Sequence, residues 1–166
     1  MLRASTIRRL KKSTVEESID VDAPIREVYN QWTQFETFPK FMEHVESVQQ
    51  IDDTHLKWTA KIAGKQEQWT AEVTEQHADE RVAWQSTSGA RHAGVVTFHR
   101  ISDTSTKVML QLDAEPHTLV EKIGDKLGVL DREAKGDLKR FKAFIEGRDG
   151  DETGQWRGDV PAPHQN

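Results

Sequence analysis

No cysteine occurs among the 166 residues, which excludes a disulfide framework, a thiolate metal site and a cysteine nucleophile. No apolar run approaches the ~20 residues that a helix needs to span a bilayer, and residues 1–13 lack the continuous apolar stretch of a secretory signal. Neither a Gly-x-Gly-x-x-Gly fingerprint nor a Walker loop is present, which argues against dinucleotide or nucleoside-triphosphate chemistry. Gly-x-Ser-x-Gly, the commonest hydrolase signature, is missing too. The seven histidines are scattered, with no pair four apart on a helix and no HExxH, so no metal is expected. Asp149, Asp151 and Thr153 begin like a calcium loop, but Val160 stands where the bidentate Glu belongs. No cofactor is implied.

What remains is a chain of one-domain length. It is 35% apolar and 31% charged, so it is not core-rich, yet five Trp, six Phe and periodic aliphatics keep it from disorder. Charge is unevenly placed. Arg3, Arg8, Arg9, Lys11 and Lys12 form an acid-free arm at residues 1–13, while the whole chain is at −5. The remaining body is therefore strongly acidic and repels phosphate backbones, which excludes nucleic acid as its partner. The arm reads as a disordered tail, against the alternatives of a surface-binding arm and a short targeting segment. Lack of cysteine and of a spanning segment suggests the cytoplasm, with membrane contact at most transient.

Residues 14–21 alternate as a strand that stops at Ala23-Pro24. A short helix follows, with Pro24 in its first turn and Ile25, Val28 and Trp32 on one face. Phe35, Phe38, Phe41 and Met42 around Pro39 suggest a second short helix broken by the proline. From Val45 the period becomes two. Strands are predicted over 45–51, 55–62, 66–75, 81–88, 92–101 and 106–114, joined by short turns, so neighbours should pair. Pro116 ends the last strand, and Thr118 with Glu121 makes a capping box. Val120, Ile123, Leu127, Leu130, Ala134, Leu138, Phe141 and Ile145 then form one helical stripe that stops near Gly147. Such a helix over 118–146 is about 44 Å long, with a bend placed at Gly128. Residues 148–166, rich in Gly, Asp and Pro, read as a flexible tail. Seven strands with one apolar face need a cover, and only the last helix is long enough, so the sheet must curl around it. The two short helices would close one end, and a pocket would form between sheet and helix.

This order, with Ser18-Ile19-Asp20-Val21-Asp22-Ala23-Pro24 leading into Val28-Tyr29-Asn30-Gln31-Trp32, resembles the START-like (SRPBCC) helix-grip superfamily. Phe35 to Met42, Val82 to Ser86, Gly94 to Phe98 and Asp137 to Lys142 carry the same likeness. Within that superfamily the chain is most similar to polyketide cyclase/dehydrase and coenzyme Q-binding START-type proteins. The resemblance covers about 14–147 and implies an α+β helix-grip fold, a seven-stranded curved antiparallel sheet around a long C-terminal helix. It also implies a cavity for a lipid, quinone or polyketide-like ligand. The matching residues are packing and turn residues, so they indicate fold more than reaction.

Trp58, Trp69 and Trp84 lie on the apolar side of their strands, where they can line a cavity and stack on a planar ring or simply fill the core. Phe38, Phe41 and Met42 suit a pocket rim or an ordinary hydrophobic plug. Leu110, Leu112 and Leu127 share the inner surface. Ser86 and Ser88 continue the inward phase of Trp84, and Thr97 is also taken as inward; such hydroxyls orient a ligand oxygen or bond to nearby backbone. His92 and His99 are seven residues apart, which reverses faces, so at most one points inward. In related sequences an amide is more usual at His92. The favoured function is therefore binding or carriage of a small hydrophobic molecule without catalysis. One rival is a polyketide-type cyclase or dehydratase using His92 or His99, and another is a partner-binding module without ligand. Oligomeric state is not legible.

Overall fold

The structure is a computed structural model and describes residues 13–62, 64–89, 91–114, 126–147 and 157–163. The basic arm up to Lys12, the capping box at Thr118 and Glu121, and tail residues 148–156 and 164–166 lie outside the described residues.

Seven strands are present: β1 Ser13–Val21, β2 Val45–Gln50, β3 His55–Ile62, β4 Lys65–His77, β5 Arg81–Ser88, β6 His92–Ser102 and β7 Ser105–Ala114. They form one antiparallel sheet in the order β1-β7-β6-β5-β4-β3-β2. The meander from β2 to β7 follows from the short turns, and β1 closes the edge by pairing with β7, Val15 opposite Leu112 and Ile19 opposite Val108. The inner face buries Val15 and Val21 of β1, Leu56 and Ala60 of β3, Ala71 and Val73 of β4, Val82 of β5, Val96 and Phe98 of β6, and Val108 and Leu110 of β7. This is the alternation of a half-buried antiparallel sheet.

Register shifts interrupt that alternation. One separates Thr70 from Ala71 and another separates Val73 from Glu75 on β4. A bulge re-aims the side chains beyond it and increases local twist, which helps the sheet curve. On β4 the buried series Trp69, Ala71, Val73 therefore continues at Gln76 instead of at Glu75. β4 runs two residues beyond its predicted end at Glu75 as a result.

α1, Ile25–Trp32, starts behind Pro24, which occupies the N-cap with extended backbone, and carries Glu27 in its first turn. Its second turn is buried on nearly every side, from Val28 to Thr33. A 3-10 helix, Phe35–Lys40, accommodates Pro39 internally. α2, Lys126–Glu146, is the covering helix and packs along β1. Its buried stripe Ala134, Leu138, Phe141 and Ile145 is the predicted one, and Gly147 N–H bonds back to the Ala143 carbonyl where the helix ends. The Phe141 ring meets Trp32 and Phe41, each with centroids 5.1 Å away, and so ties α2 to α1 and the 3-10 helix. Two sets of polar contacts fix the same junction. Arg140 Nε donates to the Phe41 carbonyl at 2.8 Å and pairs with Asp137 and Glu43, while His44 Nε2 lies 2.6 Å from Glu133.

The predicted tail is structured in part. Residues 157–163 dock against the sheet, with Val160 and Gln76 exchanging two backbone hydrogen bonds of 2.8 and 2.7 Å. Arg157 sits 5.4 Å above the Tyr29 ring, bonds to Asn30 Oδ1, and reaches Asp79 Oδ2 at 2.7 Å.

Candidate ligand-binding site

The inner face has two ends of different chemistry. At one end α1 lies on β4, β6 and β7. Tyr29 is fully buried there, its ring edge-on to Phe98 at 5.5 Å. Its hydroxyl accepts a 3.0 Å hydrogen bond from Gln76 Nε2, and burial raises the Tyr29 pKa above its usual value. Buried Thr106 donates to the Ala23 carbonyl at 2.8 Å, and Thr33 donates to the Tyr29 carbonyl at 3.0 Å. Asp79 Oδ1 and Arg81 Nε lack hydrogen bonds, yet both groups are ion-paired: Asp79 through its other oxygen, and Arg81 Nε 3.3 Å from Glu75.

The other end is built by the start of β4, the end of β5 and the start of β6. Trp58 and Trp69 are direct cross-strand partners. Register alone therefore stacks their indoles, 5.8 Å apart and 11° from parallel. Each is 9% exposed. Phe38 lies 5.5 Å from Trp58, and the His92 imidazole stands edge-on to Trp69 at 5.3 Å and 89°. A continuous wall of rings thus runs Phe38, Trp58, Trp69, His92. One glycine makes room for it, and a second makes room for Trp84. At Gly89, φ is +76° and a Cβ would lie 2.8 Å from Trp69 Cβ; at Gly94 it would lie 2.4 Å from Trp84 Cζ2.

Trp58 Nε1, Trp69 Nε1 and His92 Nε2 are buried and have no hydrogen-bond partner among the described residues. Burial lowers the His92 pKa to about 4, with no neighbouring charge contributing. The imidazole is therefore neutral at pH 7 and offers Nε2 as either donor or acceptor.

The other expected residues divide as follows. Trp84 faces inward but packs on the Gly94 backbone. Leu110 and Leu112 face inward, opposite Val96 and Gly94. Phe41 is directed at α2, against Phe141 and Phe144, and Met42 is half-buried beside it. Ser86 Oγ accepts the His92 backbone N–H at 3.1 Å, so it holds β6 in place with that lone pair. Ser88, expected inward, is turned out by the register shift and bonds to Thr70. Thr97 is likewise a correction: it shares the outer face with exposed His99, whose Nε2 lies 3.0 Å from its hydroxyl. Thr97 is two residues from His99 and five from His92, so strand parity places it outside. Leu127 has its backbone in α2, and its side chain lies outside the described residues.

One inward polar group lies outside the expected set. Glu17 sits between Val15 and Ile19 on the inner face of β1, and Lys135 Nζ of α2 lies 3.9 Å from it. A hydrogen bond to Asp131, followed by burial, raises the Glu17 pKa, and the same bond lowers that of Asp131. Among the described residues no group of three His, Asp or Glu is placed to hold a metal ion. No helix among them is long and apolar enough to cross a membrane.

Comparison with known proteins places this geometry in context. Residues 21–143 match the sequence profile of the family described as polyketide cyclase / dehydrase and lipid transport. An uncharacterized 17.2 kDa protein from the melC2-rnhH intergenic region of Streptomyces lincolnensis is 57% identical over 149 residues, covering 89% of this chain and 99% of that protein. The crystal structure of the Zhui aromatase/cyclase from Streptomyces sp. R1128 superposes with a TM-score of 0.69 at 16% identity, covering 83% of this chain and 96% of that one. A START superfamily protein from Mycobacterium smegmatis gives 0.65 at 14% identity, covering 81% and 95%. At these identities the two structures share a fold with the chain, and their sites carry no further weight.

Proposed function

This chain belongs to the polyketide cyclase / dehydrase and lipid transport family, and from that premise we propose that it binds and carries a small hydrophobic molecule between the inner face of the sheet and α2. The observation that carries the proposal is the stacked Trp58–Trp69 pair, whose two buried indole N–H groups have no hydrogen-bond partner among the described residues. A core built only for stability would leave few such groups, because an unsatisfied buried donor costs about 1–3 kcal/mol. Stacked aromatic faces favour a planar occupant, a quinone or polyketide-like ring over a bare acyl chain. The absence of cysteine agrees with a reducing compartment, and the reading places the carrier in the cytoplasm.

Catalysis is the second reading, favoured by one observation: His92 turns inward and its Nε2 has no hydrogen-bond partner among the described residues. Against it stands the pKa of about 4. A general base works best with a pKa near the operating pH, and this imidazole is a weak base at pH 7. The carrier reading therefore leads. Mild solvent extraction of the purified protein, followed by mass spectrometry, tests it. An aromatic or isoprenoid metabolite recovered near stoichiometry supports carriage. Absence of any such compound, with no tryptophan fluorescence change on adding planar apolar molecules, would end it.

A further inference from the structure

Resting on the carrier reading, we propose that residues 157–163 are a detachable strap that clamps α1 to the β4–β5 turn, and that its release opens the Tyr29 end of the inner face for ligand exchange. β4 creates the place for it. Its pairing with β3 ends at His55 opposite Glu72, and the Thr54 carbonyl accepts the Val73 N–H just beyond. From there to His77 the edge that β3 covers is left open, and an open edge presents unpaired N–H and C=O groups. Val160 takes both such groups of Gln76, at 2.8 and 2.7 Å. Three residues earlier, Arg157 spans two elements. It lies 5.4 Å over the Tyr29 ring and bonds to Asn30 Oδ1, both on α1, and it pairs with Asp79 Oδ2 in the turn at 2.7 Å.

No side chain of the strap is fully buried, whereas Tyr29, Asn30 and Gln76 beneath it are. It holds by backbone pairing, ion pairs and one cation–π contact. A segment with few buried apolar contacts opens locally at far lower free energy than the sheet it lies on. A carrier needs such a segment, because Trp58 and Trp69 are almost sealed from solvent and an occupant reaches them only past a moving element. His77 adds a proton dependence. Its imidazole stands between Asp159 of the strap, 3.3 Å from Nδ1, and Glu75 of its own strand, 3.1 Å from Nε2. Arg81, its partner on β5, lies 3.3 Å from Glu75, and Arg157 is taken up by Asp79. Glu80 meets His77 through the backbone, its N–H donating to the His77 carbonyl at 3.0 Å. Hydrogen bonding to Asp159 is the main cause that raises the His77 pKa above its ordinary value of 6.5, with burial opposing it. The contact is therefore complete below pH 6.5 and is lost as pH rises through the higher docked-state value.

Hydrogen exchange of the full chain, read by NMR, tests the strap, and stopped-flow quenching of tryptophan fluorescence by 1,4-naphthoquinone, a planar apolar probe, tests the gate. The chain has no cysteine, so the quinone meets no thiol. Relative to intrinsic rates, the Gln76 and Val160 backbone amides should exchange about a hundredfold or more faster than the Val96 amide in the middle of the sheet. Their protection should fall as pH rises above 6.5, and Asp159→Asn should flatten that fall. Arg157→Ala removes the clamp, and Val160→Pro removes a donor to Gln76. Each should raise the probe's association and dissociation rates together, about threefold or more, with Kd within about twofold. Exchange of Gln76 as slow as that of Val96 would overturn the strap's detachment. Faster exchange in both variants with unchanged probe rates would overturn the gate and leave the carrier reading standing. Failure of wild type to bind the probe would sink the carrier reading and the gate together.

Discussion

The two ends of the inner face use the same kinds of residue to opposite effect. Around Tyr29, buried hydroxyls and an amide are closed into hydrogen bonds by α1, the end of β4 and the docked residues 157–163. Around Trp58 and Trp69 the rings are stacked, yet their nitrogens have no hydrogen-bond partner among the described residues. At the first end the hydroxyls and the amide are closed by the chain itself, although Asp79 Oδ1 and Arg81 Nε are held only through ion pairs; at the second, the indole nitrogens meet no partner among the described residues. A buried polar network is worth keeping only when every member is satisfied. The contrast therefore separates a structural end from a receptive one on physical grounds.

Substitutions can break or sharpen that contrast. Tyr29→Ala should have the largest effect, about 3–5 kcal/mol of lost stability in chemical denaturation, because it opens a cavity beneath α1 and orphans Gln76. Next in size is the pH dependence carried by His92. Its folded pKa lies below its unfolded value of 6.5, so the unfolded chain binds the extra proton. Stability from this residue is complete above about pH 6.5 and falls as pH drops toward 4, on the order of 3 kcal/mol in total. Glu133 and Asp137, raised by burial, act in the opposite sense at acid pH. The readout is therefore the difference between wild type and His92→Leu, which should lose the 6.5-to-4 component. An unchanged difference across that window would show that His92 is not held neutral.

Smaller effects follow. Gln76→Leu should cost about 1–3 kcal/mol by leaving the Tyr29 hydroxyl buried without its donor. Trp69→Phe should change stability by less than about 1 kcal/mol, because the lost contact area is offset by removal of an orphaned donor. Equal costs for these two would erase the distinction between the ends. Thermal denaturation of the four variants side by side reads all of it.

Much of this was legible in the residues. Period-two alternation set the strand phases, and the spacing of Ala134, Leu138, Phe141 and Ile145 set the helix stripe. Both depend only on local geometry. The parity between His92 and His99 was also sufficient to put one inside, and applied to Thr97 it puts that hydroxyl outside. Register shifts were not legible, since they arise from pairing with a partner strand. Gln76 and Ser88 consequently exchange the faces that simple alternation gives them. Arg157 carried no signal at all. It lies in an aperiodic stretch, and its partners Tyr29, Asn30 and Asp79 are distant in sequence. The stacking of Trp58 on Trp69 needed the cross-strand register as well, although each indole alone was placed inward correctly.

The most direct test is an amide and indole NMR titration with 1,4-naphthoquinone. Five tryptophans give five indole N–H signals. Those of Trp58 and Trp69 should shift downfield as their protons find an acceptor, while the Gln76 side-chain amide at the closed end stays in place. Shifts at Gln76 with the Trp58 and Trp69 indoles unmoved would contradict the account.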